Sequence, residues 1–157
     1  MTKTISLQVK EAMKVALETL GATNDGTEVL QVITSGEDQF DEYPTIRILP
    51  QDYNRSIDAE NREYMYTMSF VVSIYLEIGE EGATPQNEII DAMQELVDMT
   101  FEKLDEGDWL DTVTLPSTGS IFTAQNDSPV VIDVTASQTG IALYADISYG
   151  VTYKKSF

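Results

Sequence analysis

The chain of 157 residues contains no cysteine and no histidine. The first absence excludes disulfides and thiolate metal sites, and it suits a reducing compartment. The second removes the commonest general base and the commonest metal ligand, so serine–histidine and cysteine–histidine catalysis are both excluded. Basic residues are scarce too: 9 Lys and Arg stand against 27 Asp and Glu, a formal charge of −18. Affinity for a phosphate backbone comes mainly from Lys and Arg, so this surface pushes a polyanion away. The same self-repulsion favours solubility. No glycine-rich phosphate loop is present. Long apolar runs are missing as well. Met1 to Leu20 interleaves Lys3, Lys10, Glu11, Lys14 and Glu18 among its apolar positions, which predicts a soluble protein made in the cytoplasm, without a signal peptide or membrane span.

What is present is strong alternation. From Tyr64 to Ile78 the even positions are all apolar or aromatic, whereas the odd positions, Thr67, Ser69, Ser73 and Glu77 among them, are much more polar. Strand side chains alternate sides, so this reads as one long strand with one buried face. The last segment repeats the pattern, with Ile141, Leu143, Ala145, Ile147, Tyr149, Val151 and Tyr153 pointing one way. Two helices are expected. Ile5, Val9, Met13, Ala16, Leu17 and Leu20 recur at helical spacing over Thr4–Leu20, with Gly21 placed to close the helix in a left-handed conformation. Thr84-Pro85 opens the second, whose stripe runs Ile89, Ile90, Met93, Leu96, Val97, Phe101 and Leu104, with Gly107 as its stop. Glu88, Asp91, Glu95, Asp98 and Glu102 form the solvated acidic face of that helix.

Between these elements, Asn24-Asp25-Gly26 reads as a turn and Glu28–Thr34 as a short strand. Tyr43–Pro50 reads as a short strand fenced by Pro44 and Pro50, with Ile46 and Ile48 inward and Arg47 outward. Gln51–Glu63 has almost no apolar anchor and reads as a mobile or partner-ordered loop. In 108–138 the pattern is irregular: Val113–Leu115 and Ser120–Thr123 form a candidate hairpin turned at Pro116–Gly119, Val130–Val134 a further strand, and Ser137–Gly140 a turn. The expected fold is α+β: one domain over 1–157, with a single mostly antiparallel sheet of about four main strands, two helices on one face, and an irregular hairpin insertion at 108–138. A chain of this length buries roughly 68–70% of its unfolded surface, enough to fold without staples.

No residue set nominates a catalytic, cofactor or metal site. The clusters Glu37/Asp38/Asp41/Glu42 and Asp105/Glu106/Asp108/Asp111 lack the alternating ligands, central glycine and closing glutamate of a calcium loop. A glycosidase-type carboxylate pair is conceivable among 27 acids, but nothing selects one. The more polar faces of the long strands carry more information. Thr67, Ser69, Val71, Ser73 and Tyr75, with Tyr144, Ser148 and Thr152, make a surface poor in charge inside a very acidic chain. Depletion of charge marks the centre of an interface. Arg47, Arg55 and Arg62, which are all the arginines of the chain, are candidates to pair with carboxylates of a neighbouring copy.

The order of features resembles the tail-terminator proteins of long-tailed bacteriophages. It runs from an N-terminal amphipathic helix to the acidic lead Asp41-Glu42 into Tyr43-Pro44-Thr45-Ile46-Arg47-Ile48, then a charged loop and the long strand Tyr64–Ile78. After Thr84-Pro85 comes a helix with Met93 and Leu96, and the chain closes on Ala145-Asp146-Ile147-Ser148-Tyr149-Gly150-Val151-Thr152-Tyr153. The resemblance covers about 4–105 and 139–155 and carries no catalytic signature. It implies a non-enzymatic virion protein at the neck end of the tail, assembled in the host cytoplasm. It implies a hexameric ring on the tail tube that stops tube polymerisation and offers a platform to head-completion or connector proteins, and DNA passes through without specific binding. Another neck protein of similar fold, a small carboxylate-dependent hydrolase or acidic metal binder, and a monomeric binding domain are the alternative readings.

Overall fold

A computed structural model describes residues 3–36, 40, 42–79, 87–116, 118–124, 129–137 and 140–157. The element order is α1 (Ile5–Leu17), β1 (Gln31–Ile33), β2 (Thr45–Asp58), β3 (Glu63–Gly79), α2 (Asn87–Asp105), a 3-10 helix (Asp108–Thr112), β4 (Gly119–Ala124), β5 (Ile132–Ser137) and β6 (Gly140–Ser156). The fold is α+β, as the alternation and the two stripes required. Its sheet has six strands, more than the expected four, and it is mixed: β1 runs parallel to β2, and the other pairs are antiparallel.

The long strands form the centre. β3 pairs with β2 on one side and with β6 on the other. The far side of β6 is shared, β5 lying along 140–145 and β4 along 150–155. The inward row Met68, Phe70, Val72, Ile74 and Leu76 is buried as the alternation demanded, beside Ile46 and Ile48 of β2 and Ala145, Ile147 and Val151 of β6. Val9, Met13 and Leu17 of α1 and Met93, Leu96 and Leu104 of α2 close over this row, placing both helices on one face. α1 starts at Thr4, whose hydroxyl oxygen accepts from the Leu7 amide at 3.3 Å. No helix among the described residues is long and apolar enough to cross a membrane.

Four expectations are corrected. Gly21 does not close α1. The helix ends at Leu17, where the Glu18 and Thr19 amides return to Lys14 and Ala16 in ordinary right-handed geometry. The strand at Tyr43–Pro50 is not confined between its prolines: β2 continues to Asp58, and Gln51–Glu63 is no loop but the distal half of a β2–β3 hairpin turning at 59–62. The reason is a β-bulge. Pro50 faces Phe70 and Asp52 faces Ser69, leaving Gln51 as the extra residue. Beyond β1, this side of β2 is a sheet edge, where the missing proline N–H leaves no ladder bond unmade. Arg47 faces away from the core but is half-buried. Finally, Val113–Leu115 forms no strand. The tight turn at 116–119 is present, its Gly119 amide returning to the Pro116 carbonyl at 2.9 Å, but β4 pairs with β6 and not with 113–115.

That last stretch instead helps to close the core. Gly107 takes a left-handed φ of 73° and turns the chain from α2 into the 3-10 helix. This drives Trp109, Leu110 and Val113 into the core, and the Trp109 indole N–H donates to the Leu104 carbonyl at 3.0 Å. Gly119 sits where a Cβ would come within 2.8 Å of the Tyr153 ring, so a side chain there would require that ring to shift. The expected turn at 24–26 is present, the Gly26 amide reaching the Thr23 carbonyl at 2.9 Å. The Thr84-Pro85 helix start and most of the turn before it lie outside the described residues, as do Glu37, Asp38 and Asp41.

Candidate functional site

Two surfaces of the sheet carry the features that could serve a function. The first is the face turned away from the helices. Register places Thr67 opposite Thr152, Val71 opposite Ser148, Ser73 opposite Asp146 and Tyr75 opposite Tyr144, and it adds Arg47 beside Ser73. Residues distant in sequence thus become one continuous face. Its polar groups mostly pair with one another. The Ser73 hydroxyl donates to Asp146 Oδ1 at 2.6 Å and the Ser148 hydroxyl to Gln51 Oε1 at 2.6 Å. The Arg47 guanidinium donates to the Tyr75 hydroxyl at 2.9 Å and lies 5.6 Å from that ring's centre. Tyr75 stacks on Tyr144 with centroids 6.1 Å apart.

Access to this face is uneven. Phe40 folds back over one end, its ring 4.8 Å from Tyr75, and is itself buried. Ser73 and Thr152 are buried at 3% and 6% exposure. The open part is the middle, where Thr67 is exposed and Ser69, Val71 and Ser148 are half-exposed.

The three arginines do not come together. Arg47 belongs to the face just described, Arg62 stands at the hairpin tip with a φ of 55°, and Arg55 lies on the opposite face, opposite Tyr66 in register. That opposite face is the second surface, and sequence reading missed it. Beyond the helices the distal hairpin presents Tyr53, Arg55 and Ile57 from β2 against Tyr64 and Tyr66 from β3. Tyr66 stacks on Tyr153 of β6 at 5.5 Å, Phe157 meets Tyr64 at 4.7 Å, and the Arg55 guanidinium lies 5.3 Å above the Tyr64 ring. Tyr53, Ile57 and Phe157 remain 60%, 57% and 51% exposed. The available signal was the alternation of Tyr53, Arg55 and Ile57. It was hidden because the bulge reverses strand parity: even positions face the core up to Pro50, odd positions after it.

Groups suited to chemistry are spread out. Among the described residues no three Asp or Glu side chains are placed to hold a metal ion. In the second acidic cluster, Asp105 instead accepts from the Tyr149 hydroxyl at 2.9 Å. Burial, and then this carboxylate, push the Tyr149 hydroxyl well above the ordinary tyrosine pKa of 10.0. Asp25 is held below the ordinary carboxylate value, first by the Thr23 hydroxyl and then by the hydroxyl and amide of Thr27, all three within the 23–27 turn. A cleft of about 470 Å³ lies between α1 and the 3-10 helix, lined by Ala12, Val15 and Trp109 with Glu11, Lys103 and Asp108 at its rim. A cleft of about 250 Å³ lies beside Tyr43, Glu77 and Glu88. The second cleft is also lined by Asp25 and Thr27, whose hydroxyl donates to Asp25 Oδ1 at 2.8 Å. Comparison with protein families and with curated proteins gives no match to this chain.

Proposed function

We propose that this chain is a structural subunit of a long-tailed phage tail, a terminator that forms a ring on the end of the tail tube. The observation that carries the reading is the sheet face opposite the helices. In a protein of formal charge −18, Thr67, Ser69, Val71 and Ser148 form an uncharged strip along the middle of the longest strands, each at least partly exposed, bordered on the same face by Asp52 and Asp146. A face turned to water in so acidic a chain would be expected to carry more charge. One that meets another protein is favoured by charge depletion. The order of elements that resembles tail terminators supports the same conclusion. In this reading the ring stops growth of the tube by covering its last layer and presents a platform to head-completion proteins. Its acidity keeps passing DNA from adhering, and it needs no cofactor or catalytic group.

Native mass spectrometry of the purified protein, over a range of concentrations and with tube protein present, is the direct test. Rings are expected; persistent monomer with the tube protein present would count against the reading. Ser69→Asp and Ser148→Asp place a charge on the half-exposed middle of the face. Each is expected to block assembly, a loss of ~2–5 kcal/mol for an unpaired charge buried in an interface, with an unchanged circular dichroism spectrum.

A further inference from the structure

The distal hairpin keeps its strand carboxylates on one of its two faces, with Lys154 among them. The strand carboxylates Asp52, Asp58 and Glu63 fall opposite Ser69, each other and Ser156 in register, which places them on the face away from the helices. The other face, that of Tyr53, Ile57 and Tyr64, holds no carboxylate. It holds two cations, Arg55 and Lys155, the latter opposite Tyr64. Among the described residues no carboxylate stands within 4.0 Å of either cation. In a chain with three acids for every base, two cations without carboxylate partners beside exposed aromatic rings are out of proportion. Arginine beside aromatic rings is also the composition enriched at interface cores.

The complementary surface is on the same molecule. The exposed face of α2 carries Glu88, Asp91, Asp98 and Glu102, and residues 87–102 contain no Lys or Arg. Carboxylates repeated at three- and four-residue spacing repel one another. A cationic face laid along them relieves that repulsion, whereas solvent only screens it.

We propose that the aromatic, cationic face of the β2–β3 hairpin docks on the acidic face of α2 of a second copy of this chain. The two patches differ, so the contact is heterologous, and a heterologous contact repeats head to tail and closes into a ring when the rotation permits. The inference rests on the ring-forming reading above and names the surfaces that join copy to copy. It leaves the uncharged strip of Thr67, Ser69, Val71 and Ser148 on the opposite face for the tube or the neck, so Ser69→Asp and Ser148→Asp are expected to block assembly on the tube and not the contact between copies. A single-stranded nucleic acid is the other natural occupant of aromatic rings flanked by cations, and the net charge of −18 opposes it.

The test uses two full-length variants: Arg55→Glu with Ile57→Asp on the hairpin, and Asp91→Lys with Asp98→Lys on the helix. All four positions are exposed, and circular dichroism should match the parent. Each variant alone is expected to remain monomeric in native mass spectrometry, its contact weakened at least about tenfold per lost anchor. Mixed together, they retain one intact pairing, the hairpin of the helix variant on the helix of the hairpin variant, and their two altered patches are opposite in charge, so the mixture is expected to associate where neither variant does alone. Parent rings with unaltered assembly of both variants would overturn this contact and leave the ring reading standing. Parent protein that is monomeric at every concentration, with and without tube protein, would overturn both. Binding of a labelled oligodeoxythymidine lost in the hairpin variant would assign the face to nucleic acid instead.

Discussion

Tyr149 joins the end of α2 to the sheet through one hydrogen bond. The ring is 3% exposed and its hydroxyl donates to Asp105. Because burial and the carboxylate both favour the neutral phenol, the folded protein holds this proton more tightly than the unfolded chain does. The stabilisation is therefore complete below the unfolded pKa of about 10 and is lost as pH rises above it. Tyr149→Phe is expected to lower stability by about 1 kcal/mol at neutral pH and to flatten the decline above pH 10, measured by urea unfolding at a series of pH values. Tyr53 and Tyr153 are shifted the same way, burial first, so a shallower decline should persist in the variant. Asp25 has the opposite sign: its lowered pKa favours the fold above the ordinary carboxylate value of 3.8 and ceases to do so as pH falls.

The element that most changes the picture of this protein is β2. Its first half was legible, because Ile46 and Ile48 alternate in phase with the core. Its second half was not, because Gln51 shifts the phase by one residue and converts an alternating strand into what reads as scattered Tyr and Ile in a polar loop. A 14-residue strand paired to Glu63 predicts that amides in 53–57 bonded to β3 are protected from hydrogen exchange, at pairing positions that alternate along the strand. Exchange of all of these amides at random-coil rates would return the segment to a loop. The 3-10 helix was missed for a different reason. Five residues, Asp108–Thr112, are too few to establish a period, and Trp109 and Leu110 reach the core only because Gly107 reverses the chain.

Across the whole molecule the dominant property is charge. At −18 the folded protomer repels itself, and compaction brings its like charges closer than they are in the unfolded chain. Salt screens this repulsion, its reach falling from about 30 Å at 0.01 M to about 3 Å at 1 M. The urea midpoint of the monomer is therefore expected to rise with sodium chloride over that range, whereas docking of the cationic hairpin on an acidic helix should weaken. An assembly that tightens steadily with salt would mean that apolar contact, and not charge, joins the copies.

The long strands, the apolar rows of both helices and the α+β class could be read directly from residue order, because period-two and helical spacing are local properties of the chain. The absence of histidine and cysteine settled equally early which chemistries were closed. Other features depended on contacts distant in sequence. The parallel pairing of β1 with β2, the sharing of β6 between β4 and β5, and the burial of Ser73 against Asp146 arise from pairings that no local pattern encodes. So does the placing of Asp52, Asp58 and Glu63 on one side of the hairpin and of Arg55 and Lys155 on the other. One bulged residue and the register of three strands decide which side each charge takes, and that register exists only once the sheet has formed.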